Sequence, residues 1–118
     1  MKYSFGIFDS GIGGITLIKS ILSRHPCSSF IYLGDTARLP YGSKSKRAIR
    51  SIAKEVVTWI CKHDISCLVV GCNTTNSLAI DVINEISSVP VFSLIQCISN
   101  MNLGSRVGVL ATPATTYS

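Results

Sequence analysis

The chain has 118 residues, of which 47% are hydrophobic and 14% charged, with a formal net charge of +5. That length and apolar content suit one compact domain and exclude intrinsic disorder, which needs low hydrophobicity and high charge. Nine glycines and four prolines without a period exclude collagen-like and low-complexity classes, and no apolar run approaches the roughly 20 residues of a membrane span.

The amino-terminal stretch, Met1-Lys2-Tyr3-Ser4-Phe5-Gly6-Ile7-Phe8-Asp9, carries charge where a secretory leader needs an apolar stretch, so a soluble cytoplasmic chain is expected. Residues 4–8 read as a first strand. Residues 14–23 follow as a helix with Ile15, Leu17, Ile18, Ile21 and Leu22 on one side. Residues 30–33 form a second strand, and 34–42 a loop rich in turn residues. Ser43 is the expected cap of a helix over 44–62, whose stripe is Ile49, Ile52, Ala53, Val56, Val57 and Ile60. Residues 67–71 are apolar throughout, as in a strand covered on both faces. A helix is expected over 74–86, a strand over 90–94, a short helix over 95–101 and a fifth strand over 106–111. This alternation predicts an α/β fold, a doubly wound parallel sheet with right-handed crossovers flanked by helices. A helix should follow the fifth strand, and its absence before Ser118 points to a chain that continues.

Five cysteines occur, at 27, 61, 67, 72 and 97. The odd number and the lack of any C-x-x-C pair argue against a disulfide framework or a zinc site. Most are expected as small buried hydrophobes in a reducing compartment. The basic residues Arg38, Lys44, Lys46, Arg47, Arg50 and Lys54 cluster in one stretch. They read as a solvated helix face. No aromatic residues interleave with them to stack bases, so no nucleic-acid partner is expected.

In open parallel sheets, ligands bind beyond the carboxyl ends of the strands. Four polar segments fall there: Asp9-Ser10-Gly11-Ile12-Gly13-Gly14, Gly34-Asp35-Thr36 with the loop to Gly42, Cys72-Asn73-Thr74-Thr75-Asn76, and Thr112-Pro113-Ala114-Thr115-Thr116. The first is G-x-G-G rather than G-x-G-x-x-G, and no G-x-x-x-x-G-K-[ST] loop occurs, which argues against a nucleotide site. Asp9 is either a helix-start residue bonding the backbone or a base, or a group that orients one. Two readings also stand for Cys72. It is a buried structural cysteine at a strand end, or a reactive thiol stabilised as thiolate by the positive end of a helix.

These segments resemble a known family. Gly6-Ile7-Phe8-Asp9-Ser10-Gly11-Ile12-Gly13-Gly14 is similar to the amino-terminal motif of bacterial glutamate racemases. The segment from Tyr32 to Lys44, with Gly34-Asp35-Thr36-Ala37-Arg38-Leu39-Pro40-Tyr41-Gly42 at its centre, is similar to their second motif. Gly71-Cys72-Asn73-Thr74-Thr75-Asn76-Ser77 is similar to the segment holding their first catalytic cysteine. Residues 107–115 are similar to the strand and loop that open their second domain.

The resemblance implies a cofactor- and metal-independent racemase that inverts the α-carbon of glutamate between two thiols and supplies D-glutamate for peptidoglycan. It implies Cys72 as the first catalytic thiol and Asp9 as a carboxylate assisting it. Ser10, Asn73, Thr74 and Thr115 would bind substrate carboxylates and amine. Pro40, Tyr41 and Gly42 would close over the substrate, and Asp35 receives no role. It also implies a domain over residues 1–98, with 99–118 as the connection and first strand of a second domain. The partners implied are the amino-acid substrate and a second copy of the chain, without nucleic acid or membrane.

Two departures stand out. No Cys-Thr-His segment, the family's second catalytic cysteine, occurs here, so the chain alone should have little activity. Thr75-Asn76 replaces the small residues usual after Cys-Asn-Thr, which should alter packing or pocket shape. The rival expectations are a racemase of aspartate or another amino acid, a non-catalytic carboxylate-binding remnant, and a nucleic-acid binder.

Overall fold

The computed structural model describes residues 3–118. Met1 and Lys2, which enter the argument against a leader, lie outside those residues. Four strands, β1 (Ser4–Asp9), β2 (Ser29–Gly34), β3 (Cys67–Val70) and β4 (Val91–Ser93), form one sheet in the order β2-β1-β3-β4. All three pairings are parallel. The helices are α1 (Ile15–Arg24), α2 (Lys46–Ile60), α3 (Asn73–Ile86), α4 (Leu94–Ser99) and α5 (Pro113–Thr116), with a 3-10 turn at Thr36–Arg38. The expected α/β class is what folds.

The core lies between the sheet and the pair α2 and α3. Phe8, Leu68 and Val70 meet Ile49, Ala53, Val57, Ile60, Ala79 and Ile83 there, all fully buried. The stripe of α2 is buried along its whole length, as its periodicity predicts. The apolar side of α1 packs more loosely: none of its residues is fully buried, and Ile15 and Leu22 are exposed. Arg50 Nη1 ties α2 to α3 through Asp81, at 2.7 and 2.9 Å. Arg38 bonds both Asp35 and Glu55, so two cations of the basic stretch are held in ion pairs. Lys46, Arg47, Ser51 and Lys54 line a groove along α2.

Four expectations change. The cap of α2 is Ser45, not Ser43: Ser45 is extended and its hydroxyl accepts from Ala48 N at 3.1 Å. An N-cap must combine that backbone with reach to the third helical N–H, and a sequence with serine at both positions does not decide between them. The helix also ends at Ile60, with Lys62 N turning back to the Trp59 carbonyl. Residues 106–111 do not form the expected fifth strand of the sheet. Val109 and Leu110 are exposed, and the segment leads to α5, which packs on α3. Apolar pattern licenses a strand only where an edge is available to pair with it. Finally, Cys27 and Cys97 are exposed rather than buried: one lies in the turn before β2, the other on the short helix α4 at the rim of an open cavity.

Candidate active site at the carboxyl ends of the strands

The strand ends gather the polar residues on one rim. Phe8 pairs with Val70, and the Phe8 carbonyl accepts from Gly71 N at 2.8 Å. Asp9, the next residue of β1, therefore stands level with Gly71 after β3, and Cys72 follows one residue on. Cys72 is the N-cap of α3, extended, 7% exposed and without a side-chain capping bond. The apolar run of β3 and the polar first turn of α3 put it there. The orphan N–H groups of that first turn make the position favourable for negative charge.

Asp9 is buried, and its Oδ2 accepts from Gly14 N at 2.8 Å and from the Tyr32 hydroxyl at 3.1 Å. Among the described residues no hydrogen bond joins it to Cys72. The carboxylate fixes the start of α1 from the strand that pairs with the thiol's. Tyr32 also donates to the Gly11 carbonyl at 2.6 Å, tying β2 to the first loop. Gly34 makes the same contact without a side chain. A Cβ there would lie 2.1 Å from the Gly11 oxygen, so only glycine fits.

Asp35 gains a role from the structure. Its Oδ2 accepts from the Tyr41 hydroxyl at 2.5 Å and from Arg38 Nε at 2.6 Å. This buried carboxylate pins the loop that carries Pro40, Tyr41 and Gly42. Tyr41 is itself buried edge-on to Phe8, so its ring is part of the core and its hydroxyl is occupied. Pro40 is exposed and Gly42 half-buried on the same loop.

Gly42 reaches the last polar segment. A Cβ on it would meet Thr112 Cγ2 at 2.8 Å. Thr112 Oγ1 lies 3.1 Å from Thr74 Oγ1 and donates to Thr115 Oγ1 at 3.2 Å. Thr74 is buried, Thr115 half-buried and Asn73 exposed. Asn73, Thr112 and Thr115 line a cavity of about 440 Å³ whose remaining wall is apolar, from Ile95, Ile98 and Val109 to Ala111. Thr74, Asn73, Thr115 and Gly42 are therefore brought together, while Ser10 stands in the loop after β1, with no side-chain hydrogen bond to them among the described residues. Thr112, Tyr32 and Asn76 stand in the segments quoted from the sequence but receive no site role there. The partners of Tyr32 and Thr112 lie 23 and 38 residues away, a separation that no local pattern reports.

Burial first, then the charge of Asp9 and the hydrogen bond to it, push the Tyr32 hydroxyl up to about 12 from its ordinary 10. Burial and the Asp35 carboxylate drive Tyr41 higher still. Above pH 10 the unfolded chain releases these protons first, so the folded state binds more and stability falls with rising pH. For Tyr32 the contribution is intact below pH 10 and lost as pH rises through about 12. Tyr32→Phe should flatten that alkaline loss. Urea midpoints on either side of pH 10 check it, and an equally steep loss in the variant would refute the assignment.

The site and the parallel sheet define a class of protein. A family model described as Asp/Glu/Hydantoin racemase matches residues 16–118, and the chain belongs to that family. Among its relatives, it is 51% identical to a glutamate racemase of Prochlorococcus marinus over 110 residues, 93% of this chain and 42% of that protein. It is 50% identical over 113 residues to a glutamate racemase of a Synechococcus strain, covering 96% of this chain and 43% of that one. The crystal structure of Francisella tularensis glutamate racemase in complex with D-glutamate superposes with a TM-score of 0.87 at 38% identity, over 98% of this chain and 44% of that one. Glutamate racemase from Aquifex pyrophilus gives 0.86 at 35% identity, over 97% and 47%. The chain spans about two fifths of the length of the curated relatives it matches.

Among the described residues, no helix is long and apolar enough to cross a membrane. Nor, among them, do three or more His, Cys, Asp or Glu side chains group so as to hold a metal ion.

Proposed function

We propose that this chain supplies one half of the active site of a cofactor-independent racemase that interconverts L- and D-glutamate. The observation that carries the reading is Cys72 at the N-cap of α3, at the end of the strand paired with the one that carries buried Asp9. The Cys72 thiolate removes the α-proton from one face of glutamate, leaving a carbanion. A second thiol delivers a proton to the opposite face. Two groups are needed, because one group on one face returns the same enantiomer.

Asp9 assists or orients the first thiol. Ser10, Asn73, Thr74 and Thr115 hold the substrate's carboxylates and amine, with the Pro40-Tyr41-Gly42 loop closing over it while the Tyr41 ring stays in the core. Residues 1–98 act as the first domain and 99–118 as the connection onward. The second thiol belongs to a Cys-Thr-His segment outside this sequence, so the chain alone has little activity. The product is D-glutamate for peptidoglycan, made in the cytoplasm by a protein that pairs with a second copy of itself. The similarity to a racemase solved with D-glutamate supports glutamate over other substrates.

The test is Cα–H exchange in D2O with protein expressed from the native gene, offered L-glutamate, L-aspartate and a hydantoin in turn. Deuterium entering Cα of glutamate alone is the expected result. Preferential exchange of another substrate, or of none, would overturn the reading.

A further inference from the structure

The turn that presents Cys72 is short: Val70 ends β3, Gly71 follows, and Cys72 caps α3. Asn76, one turn into α3 and 3% exposed, spans it. Its Nδ2 donates to the Val70 carbonyl at 2.8 Å and to the Cys72 carbonyl at 3.0 Å. Its backbone N–H donates to the same Cys72 carbonyl at 2.9 Å. The opposite amide orientation would set Oδ1 against two carbonyl oxygens, so the donor assignment is forced. Oδ1 itself is buried with no partner among the described residues. The nitrogen, not the oxygen, is what this side chain contributes.

We infer that Asn76 is a positioning residue for Cys72, clamping both ends of the strand-to-helix turn so that the thiol keeps one place on the rim. The inference rests on the reading of Cys72 as the reacting thiol. Asn76 touches no substrate in this role; it acts through the backbone of Cys72. The sequence feature that departs from the family's usual small residue is thus part of the apparatus around the thiol.

Cys67 serves as an internal control. It opens β3, the strand that leads to Cys72, and is buried to the same degree, 8% exposed against 7% for Cys72, but no Asn76 bond reaches it. Rates of iodoacetamide modification, resolved by site with mass spectrometry, are measured for the chain and for two variants. Asn76→Ala removes both clamping bonds and should speed Cys72 by about ten- to a hundredfold, the effect of losing two ordinary buried hydrogen bonds, with Cys67 unmoved. Asn76→Ser should restore part of the protection, because a serine hydroxyl donates back to the carbonyl four residues earlier, here that of Cys72.

An unchanged Cys72 rate, or Cys67 and Cys72 accelerating together, would overturn the proposal. Should Asn76→Ala fail to fold by circular dichroism, Asn76→Ser decides by the same comparison. An unfolded Asn76→Ser would make Asn76 a scaffold residue and end the proposal. No turnover is needed for this readout. A failed glutamate assay with a positive alkylation result therefore strikes the proposed function and not the clamp.

Discussion

Cys72→Ser should lower glutamate racemisation by about 10²–10⁴-fold or more, measured on protein from the native gene, while leaving the melting temperature close to that of the parent. A hydroxyl is a far weaker acid than a thiol, so it neither holds the negative charge needed to remove an α-proton nor returns a proton readily. The substitution nearly preserves volume, and Cys72 makes no side-chain capping bond that the fold would miss. Cys67 gives the contrast. It lies inside β3, and burial pushes its thiol up. Cys67→Ala should therefore cost stability by emptying core space and leave turnover per folded molecule unchanged. Parental turnover in Cys72→Ser would remove the thiol from the mechanism. A comparable loss in Cys67→Ala would reduce the Cys72 effect to packing.

Gly34→Ala should destabilise the fold by about 3 kcal/mol or more, because the obstruction is backbone and cannot rotate away. The added Cβ would sit 2.1 Å from the Gly11 carbonyl oxygen. Relieving that clash means parting the loop after β1 from the end of β2. The Tyr32 bonds to Gly11 and Asp9 and the Asp35 N–H bond to the Asp9 carbonyl all cross the same gap. The melting temperature should fall by roughly 10 °C. Gly108→Ala is the control: its Cβ meets nothing within 4 Å, and it should melt with the parent. Equal melting of the two variants would mean that the two loops do not approach as described. Ser10 and Asp9 belong to the displaced loop, so a folded Gly34→Ala should also bind substrate poorly.

The sequence by itself determined the class of fold and the rim. Alternating apolar runs and helical stripes are local patterns, and they placed Asp9 and Cys72 at the ends of the first and third strands, where the structure has them. The reason is that the hydrophobic period of each element depends only on neighbouring residues. Element ends were less legible. Ser45 displaced Ser43 as a cap because the choice rests on backbone angles and one reach of a hydroxyl. The strand expected over residues 106–111 needed an edge to pair with, which no property of its own residues supplies.

Tertiary structure alone decided how the rim is held. Tyr32 reaches Asp9 across 23 residues, Thr112 reaches Thr74 across 38, and Gly42 stands against Thr112. These contacts follow from the strand order β2-β1-β3-β4, which brings loops distant in sequence to one end of the sheet. Asp35 had a motif but no role until the fold set Tyr41 and Arg38 on its carboxylate. Asn76 looked like a departure in packing until its amide was found between two carbonyls. A side chain's chemistry can be read from its identity, but its partner is chosen by the path of the whole chain.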